Sequence, residues 1–482
     1  MQTSLLDELS ERAPDARILT DPDVTASHSH DWWPRLLMRR RAGWIPDPPE
    51  AVVVPATREE VATTLEWAAK HGVAIVPFGA GTGVCGGAAP VAGAVTVDLK
   101  RLNAIGDLDE YSGIIDVEPG VFGQSLEDHL NHRGWTLGHF PSSIHCSTIG
   151  GFLAIRSAGQ ASTGYGKLAD MVVGLEVVLP DGRVMRTRVT PSSASGPDLA
   201  SLFLGSEGTT GIITRAWLRV RPLPEAVLDH GYLVPDLGTG IGVLRDVMHG
   251  DLHPAVLRLY DETDTAVVFG SQGLEVPAGC LVIVGCEGSE DVVRLTQERV
   301  AGIVQSHGGE DLGAEPGRHW REHRHSVSYR FADYMKPGGD FGDALTLDTI
   351  EVATVWSNLL PLYTSMKTAM SDHVDLVLAH ISHCYPAGAS IYFTVGAIND
   401  GDEDQALERY DAVWDAAMRS CLDAGGTISH HHGVGLARAP YLAAELGETG
   451  FDVLWRLRAA LDPDGRMNPG KLGLPGGTRA RT

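Results

Sequence analysis

The sequence predicts an α+β fold with more than one domain. One observation is a glycine-rich loop between two short apolar strands in the first third of the chain. A second is a pair of strand–helix–strand–strand–helix units in the other half. Pro222 and Pro224 lie between these regions and mark the first domain boundary. With 482 residues, 43% of them hydrophobic, the chain can form more than one sizeable core.

The glycine-rich stretch, VAIVPFGAGTGVCGG, occupies residues 73–87 and follows a predicted buried strand at 73–76. Glycine tolerates positive φ and lets backbone N–H groups approach a ligand. Successive N–H groups that point inward form a nest for phosphate oxygens. A Rossmann turn needs a helix directly after the glycines, but residues 85–94 contain too many glycines and a proline for one. Since residues 95–99 are again strand-like, the order is strand, loop, strand.

The elements around this loop follow in order. Residues Thr57 to Glu60 form a capping box that starts a helix, and Gly72 ends it. A strand at 114–117 and a helix at 124–132 come next. Residues 141–166 are dense in Ser, Thr and Gly around a helix-capable piece at 152–157, so we expect them to donate hydrogen bonds to a large ligand. Strands at 171–179 and 212–220 complete this half, with a hairpin turn at residues 181–182.

In the second half of the chain, the order of predicted strands and helices indicates an antiparallel sheet covered by helices on one face. Its predicted strands are 232–234, 256–260, 281–286, 345–352, 376–380 and 391–395. Its predicted helices are 241–248, 292–306, 356–370 and one that carries Leu407, Tyr410, Trp414, Ala417 and Cys421 at alternating three and four spacing. In the helix 292–306, the inward residues are predicted to be Val292, Leu295, Val300 and Ile303. A last helix uses Phe451, Leu454, Leu457 and Leu461.

The composition narrows the class of protein. A net charge of −24 argues against nucleic acid or an anionic membrane surface as the main partner. The six cysteines are scattered without a C-x-x-C pair, which favours free thiols in a reducing compartment. No stretch reaches the length of about 20 apolar residues that spans a bilayer. We therefore expect a cytoplasmic protein with at most peripheral membrane contact, and the charge does not exclude a small anionic ligand. We also expect a homodimer and a small-molecule substrate that is anionic or lipid-like.

Three motifs occur in order, PFGAGTGV, STIGGFLAIRSAGQ and GSEGTTGIIT, and the chain closes with NPGKL. Together they resemble the FAD-binding flavoproteins of the vanillyl-alcohol oxidase/p-cresol methylhydroxylase fold, over roughly residues 50–472. The resemblance implies a two-subdomain FAD-binding domain with an antiparallel-sheet cap that binds substrate. It divides the chain into an N-terminal extension (1–44), the FAD-binding domain (45–225), the cap (226–424) and a C-terminal segment (425–482) that returns to the flavin.

The resemblance also implies which residues bind FAD. They are Pro77, Phe78, Gly79, Ala80, Gly81, Thr82, Gly83, Val84, Pro141, Thr148, Ile149, Gly151, Arg156, Ser157, Gly159, Glu207, Gly208, Thr209, Ile213, Asn468 and Lys471. Some relatives attach the flavin covalently to a histidine in the glycine loop. Because this loop has no histidine, we expect FAD to bind without a covalent bond.

Two further motifs, SHHHGVG at residues 429–435 and GASIYF at residues 388–393, resemble the alkyldihydroxyacetonephosphate synthase family. That family is redox-neutral: a base removes a proton beside a carbonyl, flavin N5 holds the substrate covalently, and an alcohol replaces a carboxylate. The resemblance implies His431 as the base and Tyr392 as the proton donor, with His430 and His432 beside them. Free histidine titrates near about 6.5 and tyrosine near about 10, so the roles suit these side chains.

Two alternatives stay open. The sister branch that oxidises D-2-hydroxyacids carries A-E-H-G where this chain has His430 to Gly433, and a metal-binding histidine in place of Tyr392. Replacing that carboxylate by His431 removes a hard oxygen ligand, so an FAD-linked oxidase or dehydrogenase of a D-2-hydroxyacid or related alcohol is the second interpretation. A non-catalytic protein that uses the pocket or the histidine run to hold a ligand or a metal is the other.

The expected substrate-binding residues are Arg330, His380 and His383, and Lys336 could replace Arg330. The synthase family has an arginine for the substrate phosphate in the segment where this chain has His380 and His383. Histidine is a weaker anion partner than bidentate arginine. These two histidines could also form a metal site with the histidine run, but their spacing is unspecific, and we expect no metal.

Overall fold

The computed structural model describes residues 3–44, 46–270, 273, 278–325, 345–399 and 401–474. The helices are α1 Thr3–Arg12, α2 Pro22–Ser27, α3 Pro34–Arg41, α4 Arg58–His71, α5 Gly123–Asn131, α6 Ile149–Ile155, α7 Ser162–Tyr165, α8 Leu168–Met171, α9 Leu237–His249, α10 Glu262–Asp264, α11 Glu290–Ser306, α12 Glu315–His323, α13 Trp356–Ser371, α14 Glu403–Asp423 and α15 Ala439–Leu461.

The strands fall into three sheets and a short ribbon within the described ranges. The first sheet has the strand order β1 Arg17–Leu19, β2 Ala51–Val54, β4 Val95–Asp98 and β3 Ile75–Phe78. The second sheet has the order β5 Ile105–Asp109, β6 Ile114–Val117, β10 Ile212–Arg219, β8 Val172–Val178 and β9 Val184–Arg186, and the ribbon pairs β11 Arg221–Pro222 with β7 Trp135–Thr136. The third sheet has the order β15 Glu310–Gly313, β12 Ala226–Val234, β14 Cys280–Gly288, β13 Val256–Tyr260, β17 Leu376–Tyr385, β18 Gly388–Ile398 and β16 Leu345–Val355.

The first sheet carries the glycine loop. Strands β2 and β3 both pair with β4 in parallel, and the loop joins β3 to β4 without a helix. The predicted strand–loop–strand order is therefore confirmed. The C-terminal segment returns to this sheet: the Ile75 N–H donates to Arg466 O at 2.9 Å, and the Asn468 N–H donates to Ile75 O at 2.7 Å.

Helix α4 begins and ends where its capping residues predict. The Thr57 hydroxyl accepts a hydrogen bond from the Glu60 N–H at 3.2 Å. At the other end, Gly72 has φ 67°, the left-handed conformation that ends helices at glycine. Val61, Leu65 and Ala68 are buried on the inner face of this helix and pack on the first sheet.

The third sheet is antiparallel throughout, as predicted for the second half of the chain. Helices α9, α11, α13 and α14 pack with it into a single hydrophobic core. A smaller cluster that includes Val256, Leu281 and Trp320 lies with Ala161 and Phe140 from the first half of the chain. The sheet therefore contacts the other half of the chain directly.

Helix α11 differs from the prediction in the face that it buries. Val292 and Leu295 were expected to face inward but are 58% and 54% exposed. The other two predicted residues do face inward: Val300 is buried and Ile303 packs partly buried against the core. Val293 and Val304 are buried in place of Val292 and Leu295. Two apolar stripes one residue apart are available in this helix, and the stripe that packs on β12 and β14 is set by how the helix is docked on the sheet.

The N-terminal extension contacts both halves of the chain. The Trp67 indole on α4 donates to Leu5 O on α1 at 3.0 Å. Helix α3 packs instead on α14, where the Arg35 guanidinium makes two hydrogen bonds to Asp411 at 2.6 and 2.7 Å. All six cysteines are free thiols. No helix in the described ranges is both long and apolar enough to cross a membrane.

Candidate active site

A cavity of about 700 Å³ extends from the glycine loop to the histidine run. This volume lies within the usual range for small-molecule and cofactor sites. Most of the residues predicted to bind cofactor or substrate line it: Pro77, Phe78, Gly79, Ala80, Gly81, Thr82, Gly83, Val84, Pro141, Thr148, Gly151, Ser157, Glu207, Gly208, Ile213, Asn468, His380, His383, Tyr392, His431 and His432.

The glycine loop is shaped by close contacts that exclude larger residues. A Cβ on Gly79 would lie 2.5 Å from the Thr148 hydroxyl oxygen. That hydroxyl already caps α6 by accepting the Gly151 N–H at 3.3 Å. At Gly81, φ is 67° and a Cβ would lie 2.6 Å from the Phe78 ring. The loop is thus a cradle of backbone at one end of the cavity, which suits a phosphate-bearing ligand.

Five predicted cofactor residues support the cavity from behind instead of lining it. Ile149 is buried in the core beneath α6. Arg156 ends α6 with φ 56° and lies against Gly205. Gly159 permits close approach to the Phe140 N, which a Cβ would meet at 2.5 Å. The Thr209 hydroxyl donates to Ser206 O at 2.7 Å, and the Lys471 ammonium donates to Ala89 O.

Glu207, from the GSEGT motif, lines the cavity but also fixes the histidine loop. Its carboxylate accepts the Val434 N–H at 2.6 Å and the Gly435 N–H at 2.8 Å. Burial raises the pKa of Glu207 to about 7, although these two N–H groups oppose the rise. The Asn468 amide donates to Glu207 O at 2.7 Å and to Gly87 O at 2.9 Å. The glycine loop, the histidine loop and the C-terminal segment therefore meet at this residue.

A second buried carboxylate, Glu351 on β16, holds the histidine run itself. It accepts the backbone N–H groups of His430, His431 and His432, and the Ser429 hydroxyl at 3.0 Å. Arg438 lies 3.2 Å away, and both side chains are fully buried. Burial raises the pKa of Glu351, but Arg438 and the histidines outweigh it and hold that pKa below its ordinary value. An ionised Glu351 thus fixes the loop conformation.

His431 and Tyr392 face the cavity with their rings 6.1 Å apart and nearly parallel. Burial lowers the pKa of His431 well below its usual value, and the adjacent histidines add to this effect. Burial raises the pKa of Tyr392 to about 12. Near neutral pH the imidazole is therefore unprotonated and can accept a proton, and the phenol is protonated and can donate one; their catalytic roles stay predictions. His431 is nevertheless a much weaker base than free histidine, a difference that only its burial explains.

A bulge in β17 brings both predicted substrate histidines to the cavity. His380 and His383 are three residues apart, so a regular strand would place them on opposite faces. The register with β18 shifts between Ile381 and His383, and both side chains line the cavity. His380 contacts Asp264 at 3.0 Å and stacks on Tyr392 with ring centroids 5.0 Å apart.

His430 lies behind His431. Their Nδ1 atoms are 2.9 Å apart, and His430 Nε2 is 2.7 Å from the Tyr385 hydroxyl. Ligand nitrogens of His383, His430 and His431 all lie within 4.8 Å of one another, a spacing that could hold a metal ion. Both nitrogens of His430 already have hydrogen-bond partners. The expectation that no metal binds here stays a prediction.

Two arginines at the substrate end were not predicted. Arg258 lines the cavity from β13, and its Nε donates to the Tyr260 hydroxyl at 3.0 Å. Arg324 lines it just after α12, with burial lowering its pKa to about 10. Their guanidinium carbons lie 5.4 and 5.8 Å from the Trp320 ring centroid. Among the residues that the structure describes, neither has a carboxylate within ion-pair distance.

The predicted substrate residue Arg330 and its alternative Lys336 lie outside the described residues. One sequence signal for Arg258 existed: it is the single charge in VLRLY, a strand that is otherwise apolar and buried. Buried charges usually have a partner or a function. Arg324 gave no comparable signal, because it lies in a polar stretch, WREHRH.

Comparisons with known proteins agree with this arrangement. The model of the C-terminal domain of FAD linked oxidases matches residues 224–472, and the FAD binding domain matches residues 49–188. The chain is 30% identical to an alkyldihydroxyacetonephosphate synthase of Trypanosoma brucei brucei, over 97% of this chain and 80% of the relative. It is also 30% identical to the glycolate oxidase subunit GlcD of Bacillus subtilis (strain 168), over 88% of this chain and 89% of the relative.

Solved structures extend the likeness to the fold. A structure of alkyldihydroxyacetonephosphate synthase superposes with a TM-score of 0.81 at 27% identity, covering 98% of this chain and 86% of the other. A structure of p-cresol methylhydroxylase with substrate bound superposes with a TM-score of 0.74 at 17% identity, covering 98% of each chain. The glycine cradle and the long cavity fit an elongated dinucleotide such as FAD. The chain belongs to the FAD-linked oxidase family, it has the vanillyl-alcohol oxidase/p-cresol methylhydroxylase fold, and FAD is its cofactor.

Proposed function

We propose that this enzyme catalyses a redox-neutral exchange of the alkyldihydroxyacetonephosphate synthase type on an anionic keto ester that carries a phosphate. The observation that carries the proposal is the pairing of His431 with Tyr392 at the cavity. Burial keeps the first unprotonated and the second protonated. A base that is unprotonated and an acid that is protonated at the same pH suit a reaction in which one proton is removed from the substrate and another is donated to it.

The two arginines support an anionic substrate. Arg258 and Arg324 both stack on Trp320 and face the cavity end that holds the histidines. A buried guanidinium is costly without a counter-charge. A phosphate between two planar guanidiniums would supply that charge and form bidentate hydrogen bonds. These residues come from β13 and the end of α12, not from the segment where the synthase family places its phosphate arginine.

The chain's own groups define the remaining steps. Bound FAD supplies an electrophilic centre that can hold the substrate while one substituent replaces another. His431 takes the proton from the carbon beside the ketone, and Nε2 is its available nitrogen because Nδ1 faces His430. Tyr392 donates a proton to the departing carboxylate and regains one from the hydroxyl of the incoming alcohol, so the exchange consumes no proton overall. His380, fixed by Asp264 and stacked on Tyr392, positions that phenol.

The test is turnover without an electron acceptor. Palmitoyl dihydroxyacetone phosphate and hexadecanol, supplied anaerobically, should give the alkyl ether and free palmitate while the flavin spectrum ends oxidised. His431→Ala should keep FAD but lose at least about a hundredfold in turnover, the low end for loss of a general base. Tyr441→Phe is the control, because Tyr441 is not among the residues that line the cavity and its hydroxyl donates to Asp415 on α14. Equal turnover in His431→Ala would contradict the assignment.

A second candidate is an FAD-linked oxidoreductase of a D-2-hydroxyacid. It is favoured by the likeness to the glycolate oxidase subunit and by the three histidine nitrogens within metal-binding distance. D-lactate and D-2-hydroxyglutarate are the probes. Anaerobic bleaching of the flavin by either acid, with recovery in air, would replace the transferase proposal and leave the fold and the cofactor unchanged.

A further inference from the structure

A row of hydrogen-bonded side chains leads from the cavity to the end of strand β17. It starts at His431, which lines the cavity, and passes through His430 to Tyr385. The distances are 2.9 Å between the two Nδ1 atoms and 2.7 Å from His430 Nε2 to the Tyr385 oxygen. Each is an ordinary hydrogen-bond length.

The outer end of this row is close to water. Tyr385 is half-buried and is the last residue of β17, and the next two residues, Pro386 and Ala387, are exposed. The exposed Asp170 is near enough to raise the pKa of the Tyr385 phenol, second only to burial. The middle residue, His430, is held in place because its N–H donates to Glu351 and its carbonyl accepts from Lys167.

We propose that His430 and Tyr385 form a proton relay that connects the base His431 to solvent. The proposal rests on the proposed function, since it assumes that His431 removes a proton from substrate. When Nε2 of His431 takes that proton, its Nδ1 proton passes to His430 Nδ1. The Nε2 proton of His430 passes to the Tyr385 oxygen, and the phenol releases its own proton to water.

These proton transfers balance. One proton enters the row and one leaves, and the electron pair of the broken C–H bond stays on the substrate as an enolate. Imidazole can relay in this way because each ring has two nitrogens, one of which accepts while the other donates. When a proton returns in the second half of the reaction, the same transfers run in reverse and restore the starting tautomers. No oxidant or further reactant is needed.

The relay also accounts for the third histidine of the cluster. His383 lines the cavity, and its Nδ1 is 2.7 Å from the Ser162 hydroxyl. Burial raises the pKa of Tyr385, and a hydrogen bond from that same Ser162 hydroxyl opposes the rise. His431 and His383 are therefore both connected through hydrogen bonds to the Tyr385 hydroxyl. Removing that one oxygen atom interrupts both connections.

The experiment compares solvent exchange with turnover. Palmitoyl dihydroxyacetone phosphate and hexadecanol react in D2O, and mass spectrometry counts deuterium at the carbon beside the ketone of the ether product. Wild type should place solvent deuterium in most of the product. Tyr385→Phe should keep its FAD and lose most of that label per product formed, because the abstracted proton stays on His431 and returns. Free imidazole should restore the label by carrying the proton.

Each outcome has one meaning. If Tyr385→Phe turns over more slowly but incorporates as much deuterium as wild type, the substitution has only damaged the structure, and the relay is overturned. Tyr441→Phe controls for loss of a tyrosine hydroxyl. If wild type forms no ether product, the proposed function has failed independently of Tyr385. Stoichiometric zinc in protein purified without an affinity tag would also overturn the relay, since a metal would occupy the nitrogen lone pairs that it uses.

Discussion

The two ends of the cavity are built in different ways. At the glycine end, the walls are backbone and small side chains, and the shape follows from contacts too close for a Cβ. At the histidine end, the walls are buried titratable side chains, held by Glu351 and Glu207 through backbone N–H groups. The first end needs particular backbone angles, whereas the second needs buried charges that balance one another.

This difference indicates how each end can fail. A substitution in the glycine loop adds volume where none is available, so the expected damage is local and concerns the cofactor. A substitution among the buried carboxylates leaves unpaired charge and unsatisfied N–H groups, so the expected damage concerns folding. The three predictions below compare the two ends, starting with the largest effect.

Glu351→Ala should destabilise the protein by about 3–5 kcal/mol, because Arg438 would then be a buried charge without its partner. Three backbone N–H groups of the histidine loop would also lose their acceptor. Urea unfolding followed by fluorescence measures the change. The control is Glu66→Ala, which removes an exposed pair with Arg12 and should cost about 0–1 kcal/mol. Similar costs for the two variants would show that Glu351 does not hold the loop.

Acid should destabilise the histidine end. Burial lowers the pKa of His430 to about 3 and of His432 to about 4. As the pH falls below about 6.5, the unfolded chain binds protons that the folded chain refuses. The stability due to these groups is complete above about pH 6.5 and is lost as the pH falls toward their folded pKa values. Glu207, Asp31 and Asp348 oppose this trend, because burial raises their pKa values to about 7, 6 and 6.

A variant separates the histidines from the carboxylates. His432→Gln should remove one titrating group, so between about pH 6 and 4 the free energy of unfolding should fall less steeply, by about 1.4 kcal/mol per pH unit. Urea unfolding at several pH values gives the slope. His253→Gln, a substitution of a half-exposed histidine, is the control for loss of the side chain as such. An unchanged slope in His432→Gln would mean that His432 is not kept neutral by burial.

Gly81→Ala should reduce FAD binding with little effect on the rest of the fold. The added methyl meets the Phe78 ring at 2.6 Å and must displace the cradle. Gly93→Ala is a matched control, since Gly93 also has positive φ, 77° against 67°, but nothing lies within 4 Å of its Cβ position. Both variants share a backbone strain of about 1–2 kcal/mol. The flavin absorbance per chain after gel filtration should therefore fall in Gly81→Ala only. Equal flavin content in both would exclude the steric explanation.

The sequence alone determined the glycine end and most of the elements around it. Capping at Thr57 and Gly72, the strand–loop–strand order and the absence of a helix after the glycines all depend on residues next to one another in the chain. Backbone conformation is a local property, so local sequence carries it. The resemblance to a known family supplied His431 and Tyr392, and the structure brought both to the cavity.

Only the tertiary structure decided the rest of the histidine end. Arg258, Glu351 and Tyr385 lie on three different strands and Arg324 lies just after α12, and no spacing in the sequence relates them to the histidine run. The bulge in β17 puts His380 and His383 on one face, against the alternation that a regular strand predicts. Helix α11 likewise buries Val293 and Val304 where the sequence predicted Val292 and Leu295. Side-chain partners and the burial that shifts their pKa values depend on strand register and helix docking, which are set by contacts distant in sequence.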